Sequence, residues 1–236
     1  EILLRLRDES GRMVAPDSFI PAAERYGLMT TLDRWVVHNV FQVIARCQNE
    51  QRHQAPQAMC AINLSGSSIG DDAFLDYLKS QFKMFGVAPE MICFEITETS
   101  AIADLESAIR FINELKSLGC LFSLDDFCSG MSSFAYLKHL PVDFLKIDGS
   151  FVKDMLDNPI NRAMVEVINN IGHVMGKRTI AEFVETPQIE AALEEIGVDF
   201  AQGYLIGRPE LLTCESLYIH PVRPDPVMFH SPGTFS

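Results

Sequence analysis

Short runs that are apolar on both faces alternate along this chain with longer stretches whose apolar residues recur at helical spacing. The short runs are ILLRLRD (2–8), MCAINLS (59–65), MICFEIT (91–97), LFSLDDF (121–127), VDFLKID (142–148), TIAEFV (179–184) and DFAQGYLI (199–206). Several lack the in-and-out alternation of a half-solvated strand, as parallel strands do when helices cover both faces. Between them, Phe74, Leu78, Phe82 and Phe85 form a helical stripe that stops at Gly86. Leu105, Ala108, Ile109, Ile112 and Leu115 form a second, ended by Gly119. A third opens at Thr186-Pro187, a capping residue followed by a first-turn proline, and closes at Gly197.

This βαβα order, with right-handed crossovers, leaves two architectures: a barrel lacking one strand, or an open doubly wound sheet. No GxGxxG follows the first strand, which counts against a dinucleotide-binding sheet. The expected fold class is therefore α/β, a TIM-like (β/α) barrel. From His220 the sequence HPVRPDPVMFHSPGTFS has four prolines and no period, and is expected to be an extended or disordered tail. The expected organisation is one domain over 1–219 and a tail over 220–236.

A hydrophobic content of 47% over 236 residues suffices for a sizeable core. No apolar run approaches the roughly 18 residues that span a bilayer, so no direct membrane contact is expected. A net charge of −13 argues against a nucleic acid polymer as partner. The six cysteines form no CxxC pair and are expected to be reduced thiols in a cytoplasmic protein. The histidines lack HExxH or HxH spacing, which sets aside a histidine-based zinc site. With no initiator Met, the chain is expected to be a piece of a longer protein.

In a parallel barrel, functional groups gather where strands exit. Here those ends carry Asn63, then Glu95 and Glu98, Asp125 and Asp126, Lys146 and Asp148, and Glu182 and Glu185. Gln202 sits in the seventh run and Glu1 opens the first. One such carboxylate is ordinarily a helix cap or a solvated group. Six strands delivering polar groups to one rim point instead to a site, and oxygen donors without thiolate or paired imidazole suit Mg²⁺ or Mn²⁺. Adjacent Asp125 and Asp126 repel unless cations separate their charge. Two metals about 3.5–4 Å apart suit in-line attack on phosphorus. Both aspartates can face one site only if the chain leaves extended geometry after Asp125. The following CSG is expected to supply that break.

The motifs EILLR, PDSFIPAAERYG, INLS, FEITE, DDFCSG, LKIDGSFV, AEFVET and QGYLIGRP occur in this order. Together they make the chain, from Glu1 to QGYLIGRP, resemble the EAL family of bacterial phosphodiesterases specific for cyclic di-GMP. The resemblance implies two-metal hydrolysis of cyclic di-GMP to 5′-pGpG, with two divalent cations, Mg²⁺ or Mn²⁺, and inhibition by Ca²⁺. It implies Glu1, Asn63, Glu95 and Asp125 as ligands of one metal, and Asp125, Asp126 and Glu182 as ligands of the other. Lys146, Glu182, Glu185 and Gln202 would form the catalytic set, with Lys146 on the hydrolytic water. Leu3, Arg5, Pro16, Asp126 and Gln202 would contact substrate, and Glu98 would anchor the loop after Asp126. A homodimer, and upstream GGDEF and sensory domains in a parent protein that is membrane-anchored or soluble, are also implied.

The family's upstream strand, antiparallel to the first, is missing from this sequence. Three stretches depart from the family pattern: EIL for EAL, AEFVE for AEGVE, which puts Phe183 at a usual glycine, and DDFCSGMSSF for DDFGTGYSSL, which puts Cys128 at another. If that last glycine has positive φ, Cys128 costs about 1 kcal/mol. Cys128 and Met131 motivate an alternative reading, a catalytically weak EAL domain acting as a cyclic di-GMP receptor. A metal-dependent phosphohydrolase for another substrate is a third.

Overall fold

The structure, a computed structural model, describes residues 1–50, 59–128 and 135–217. Met131 and the expected tail over 220–236 lie outside the described residues. The chain divides into two compact units, Glu1–Ile96 with Ala103–Leu121 and Glu210–Ile219, and Thr97–Ile102 with Phe122–Pro209 and His220–Ser236. In chain order the elements begin with β1 (Leu6–Arg7), β2 (Met13–Val14), α1 (Pro16–Arg25), α2 (Met29–Glu50), β3 (Cys60–Leu64), α3 (Gly66–Ile69) and α4 (Asp72–Phe85). Next come β4 (Ile92–Thr97), α5 (Glu98–Ala103), α6 (Leu105–Lys116), β5 (Leu121–Phe127), β6 (Phe144–Ile147) and α7 (Gly149–Lys153). The last are α8 (Pro159–Val174), β7 (Arg178–Ala181), α9 (Pro187–Ile196), β8 (Phe200–Ala201) and α10 (Cys214–Leu217).

In the first unit β3 and β4 pair in parallel, with Asn63 opposite Glu95. Helices α2 and α4 build its core. Val37, Phe41 and Ile44 on α2 recur at helical spacing and are fully buried, as are Phe74 and Leu78 on α4. The rings of Phe41 and Phe82 lie 4.8 Å apart. Helix α4 begins where the Asp71 carboxylate accepts the Ala73 N–H, and ends at Gly86 with φ 65°, so the predicted stripe and its stop are both present. In the second unit β5, β6, β7 and β8 pair in parallel in chain order. Strand β6 is buried at every position. Helix α9 runs as predicted, from Thr186, whose hydroxyl accepts the Ile189 N–H, to Gly197.

Three predicted strands are shorter than expected, each for a local reason. The run 2–8 contributes one parallel bridge, Ile2 to Ile62, and then turns back. The Asp8 carboxylate accepts from Ser10 N, Ser10 Oγ and Arg12 N at 2.8, 2.6 and 2.9 Å. This side-chain turn folds Leu6–Arg7 onto Met13–Val14 as an antiparallel ribbon. Strand β7 stops at Ala181, because Phe183 takes a φ of 54°. The run 199–206 is a strand only at Phe200–Ala201. Beyond it Gly203 turns the chain, its carbonyl accepting from Ile206 N and Gly207 N at 3.0 Å each. Only glycine fits there, since a Cβ would overlap the backbone of Val184.

The cysteine expectation needs correction. Cys47 on α2 and Cys214 on α10 are joined by a disulfide, while Cys60, Cys93, Cys120 and Cys128 are free. The two partners are 167 residues apart in sequence, and only the packing of α10 on α2 brings them together. Among the described residues, no helix is long and apolar enough to cross a membrane.

Two outcomes test these features. Thiol titration in denaturant of air-equilibrated protein should count the four free cysteines, rising to all six after reduction. Gly203→Ala should lower the stability measured by urea unfolding by about 1–3 kcal/mol, the usual cost of overpacking.

Candidate metal centre

Strand β5 delivers both aspartates to one place through a β-bulge. Leu124 pairs with Leu145 and Phe127 with Ile147, so three steps along β5 match two along β6. The extra residue lies at Asp125–Asp126, and Asp126 has a φ of 53°. A bulge of this kind re-aims a side chain that strict alternation would send to the opposite face. A break is present inside the strand, at Asp126; of the CSG that follows, only Cys128 lies among the described residues. Asparagine and aspartate tolerate this left-handed conformation better than most residues.

Donor oxygens of Asp125, Asp126 and Glu182 lie within 4.8 Å of one another. Lys146, only 1% exposed, sits beside them, with Nζ 2.7 Å from Glu182 Oε1 and 3.1 Å from Asp125 Oδ1. Burying an ammonium is costly unless it is paired, and here two carboxylates share it. Three carboxylates against one ammonium leave an excess of negative charge. That excess shows in Asp126, whose carboxyl is pushed up to about 6 by partial burial, then by the charges of Asp125 and Asp148 and a hydrogen bond with Asp148. Lys146 opposes the shift. A hard divalent cation is the natural complement of such an oxygen set, so the residues present fit one.

The first unit forms its own polar grouping. The Asn63 side-chain amide donates to Glu1 Oε1 at 2.7 Å, and Glu95, 2% exposed, is the register partner of Asn63. Leu3 and Arg5 are exposed nearby in the chain, and Pro16 starts α1 half-buried. In the second unit Gln202 is held at the end of β7, its N–H on Ala181 O at 2.8 Å and its carbonyl accepting the Val184 N–H at 3.0 Å. Glu185 is exposed. Glu98, 3% exposed, accepts the Cys128 N–H at 3.0 Å. The bond fixes the backbone two residues beyond Asp126; residues 129–134 of the loop that Glu98 is expected to anchor lie outside the described residues.

Cys128 has a φ of 67° and Phe183 one of 54°, so both substitutions for the usual glycine occupy left-handed backbone. Burial and Glu98 push the Cys128 thiol up to about 12, which leaves it unreactive at neutral pH. The Phe183 ring is 47% exposed, rests against Gly149 and lies 3.8 Å beneath the Lys153 ammonium. Two supporting residues, Tyr136 and Asp33, escaped the sequence reading, and a third, Asp148, was legible there only as a strand-end carboxylate. Tyr136 donates its hydroxyl to Glu98 Oε1. Asp148 bears on Asp126 and also caps α7 by accepting the Ser150 N–H at 2.7 Å. Asp33, buried on α2, accepts from Ser65 N, Ser65 Oγ and Ser68 Oγ at 3.0, 2.6 and 2.6 Å, fixing the turn after β3. Burial raises its carboxyl, and those hydrogen bonds oppose the shift. An aspartate on the apolar stripe of α2 was the signal available for Asp33.

The family model of the EAL domain matches residues 1–209. The chain belongs to the EAL family. Cyclic di-GMP phosphodiesterase PdeB of Shewanella oneidensis is 43% identical over 217 residues, 91% of this chain and 25% of that protein. Cyclic di-GMP phosphodiesterase PdeF of Escherichia coli K12 is 34% identical over 223 residues, 94% of this chain and 29% of that protein. The chain thus spans between a quarter and a third of these curated relatives. Among solved structures, the FimX EAL domain from Pseudomonas aeruginosa bound to c-di-GMP superposes with a TM-score of 0.79 at 33% identity. That likeness covers 88% of this chain and 82% of the other. The fold is accordingly the α/β, TIM-like fold of EAL domains, as the strand–helix alternation predicted.

The bulge and its charges have measurable consequences. A cation bound at Asp126 must displace its proton below about pH 6, so Mn²⁺ affinity should weaken as pH falls from 6 to 5 and be flat, for this group, above 7. Calorimetry in buffers of different ionisation enthalpy measures both the affinity and the proton released. For the metal-free EAL domain the sign for stability is opposite to the usual carboxylate. Asp126 binds its proton more tightly folded than unfolded, so it favours folding increasingly as pH drops from about 6 towards about 4. Cys128→Gly should stabilise the protein by about 1 kcal/mol in urea unfolding, by releasing left-handed backbone from a Cβ.

Proposed function

We propose that this EAL domain hydrolyses cyclic di-GMP to 5′-pGpG by a two-metal mechanism, using Mg²⁺ or Mn²⁺. The observation that carries this reading is the Asp125–Asp126–Glu182 cluster around buried Lys146. Divalent cations, when bound, supply Lewis-acid polarisation of the phosphodiester and acidify water. Asp125, Asp126 and Glu182 are the ligands the geometry supports. Glu1, Asn63 and Glu95 keep the ligand roles their motifs carry, and the Glu1–Asn63 hydrogen bond holds two of those donors together.

The chain's own groups do the rest. Lys146 holds Asp125 and Glu182 in place as carboxylates, and its ammonium contacts the attacking water. Asp126 and Gln202 line the substrate side, Gln202 fixed by its backbone to β7. Glu185 completes the acidic rim. Arg5, with its forked guanidinium, meets a phosphate, and Leu3 and Pro16 flank the nucleotide. Glu98 holds the backbone that follows the two aspartates. A homodimer and a longer, cytoplasmic parent protein with GGDEF and sensory domains belong to the same proposal; of these, the longer parent is supported by the share of its relatives' length that the chain spans.

A receptor that binds cyclic di-GMP without turning it over is favoured by one observation, the non-glycine backbone at Cys128. Incubation with Mn²⁺ and cyclic di-GMP separates the two. Accumulation of 5′-pGpG supports hydrolysis. Tight binding by calorimetry with no product supports the receptor.

Asp125→Ala and Glu95→Ala should each abolish metal-dependent turnover while circular dichroism keeps the wild-type spectrum. Full activity in either variant refutes its ligand role. Ca²⁺, which accepts more ligands and looser geometry than Mg²⁺, should inhibit in competition with Mn²⁺. Undiminished turnover in Ca²⁺ alone counts against the mechanism.

A further inference from the structure

The Glu98 carboxylate, at the first residue of α5, is buried and works with both oxygens. Oε2 accepts the backbone N–H of Cys128 at 3.0 Å, and Oε1 accepts the hydroxyl of Tyr136. One carboxylate therefore ties the residue just beyond the bulge to a residue eight positions further along the chain. Between Asp125 and Cys128, two residues with a Cβ occupy left-handed backbone, Asp126 at 53° and Cys128 at 67°. Such conformations cost about 1 kcal/mol or more each and persist only where the surroundings over-determine them. The Glu98 bond to Cys128 N–H is one of those determinants.

A buried carboxylate holds its position in proportion to the donors that satisfy it, since a lost partner leaves a desolvated charge. We propose that Tyr136 is a positioning residue for the metal centre. By satisfying Glu98 Oε1 it fixes Oε2 on Cys128, and this holds the left-handed turn that keeps Asp125 and Asp126 beside Glu182. The proposal rests on the reading of that cluster as a cation site and not on the identity of the substrate. Phenylalanine at 136 would keep the ring and remove only the oxygen. A tyrosine that merely packs or stabilises would, on that change, alter the unfolding midpoint and leave cation affinity alone.

The test is calorimetric titration of the metal-stripped 1–236 chain with Mn²⁺ at about pH 8, above the Asp126 transition. Wild type, Tyr136→Phe, Cys128→Gly and the double variant are compared, with no substrate present. Tyr136→Phe should weaken Mn²⁺ binding about tenfold, the lower end for residues that orient ligands from behind. In the Cys128→Gly background the same change should cost less than about threefold, because glycine holds the turn unaided. That background, with its strain removed, also serves if Tyr136→Phe alone folds poorly. An unchanged Mn²⁺ affinity in Tyr136→Phe overturns the proposal, as does an equal loss in both backgrounds. A wild-type chain that takes up no Mn²⁺ overturns the metal-centre reading itself and this proposal with it.

Discussion

Charge balance around Lys146 governs the second unit of this domain. Strand β6 is buried at all of its positions, and one of them is an ammonium. A lysine survives there because Asp125 and Glu182 close on it at 3.1 and 2.7 Å. The same two carboxylates belong to the cluster that draws in Asp126. Removing the ammonium would leave three like charges in one small space, while a bound cation would bring the site towards neutrality. The centre is thus partly neutralised by the fold, and its remaining charge is what a hard metal ion answers.

Strain is concentrated beside that charge. Among the described residues, the non-glycine residues with positive φ are Asp126, Cys128 and Phe183. Asp126 belongs to the cluster, Cys128 lies two residues beyond it, and Phe183 follows Glu182. Each is held by something specific: Asp126 by the bulge, Cys128 by Glu98, and Phe183 by Gly149 and the Lys153 ammonium. Left-handed backbone turns successive side chains in ways that a regular strand cannot, and clustering of such residues at a functional site is a general tendency.

The sequence disclosed the helices that carry a clean apolar stripe and a glycine stop, and the strands apolar on both faces. Leu105–Lys116, Asp72–Phe85 and Pro187–Ile196 all formed as their spacing required. It misled where a side chain or a single backbone angle overrides the pattern. The Asp8 turn bends back a run that reads as one strand, and Gly203 ends another after two residues. Asp125, Asp126, Lys146 and Glu182 were legible as polar residues at strand ends, and the second unit brings these four together. Tyr136 and Asp33 were hidden. Both act through hydrogen bonds across long sequence separations, and a tyrosine in a loop or an aspartate in a helix has many ordinary explanations.

The Cys47–Cys214 bridge has a consequence for the integrity of the chain. Every candidate site residue from Asn63 to Gln202 lies between its two ends in the sequence. A protease that nicks the backbone anywhere in that span leaves the fragments covalently joined as long as the bridge is oxidised. Reduction then turns a silent nick into two separate polypeptides, so damage to this domain would become visible only when the surroundings turn reducing.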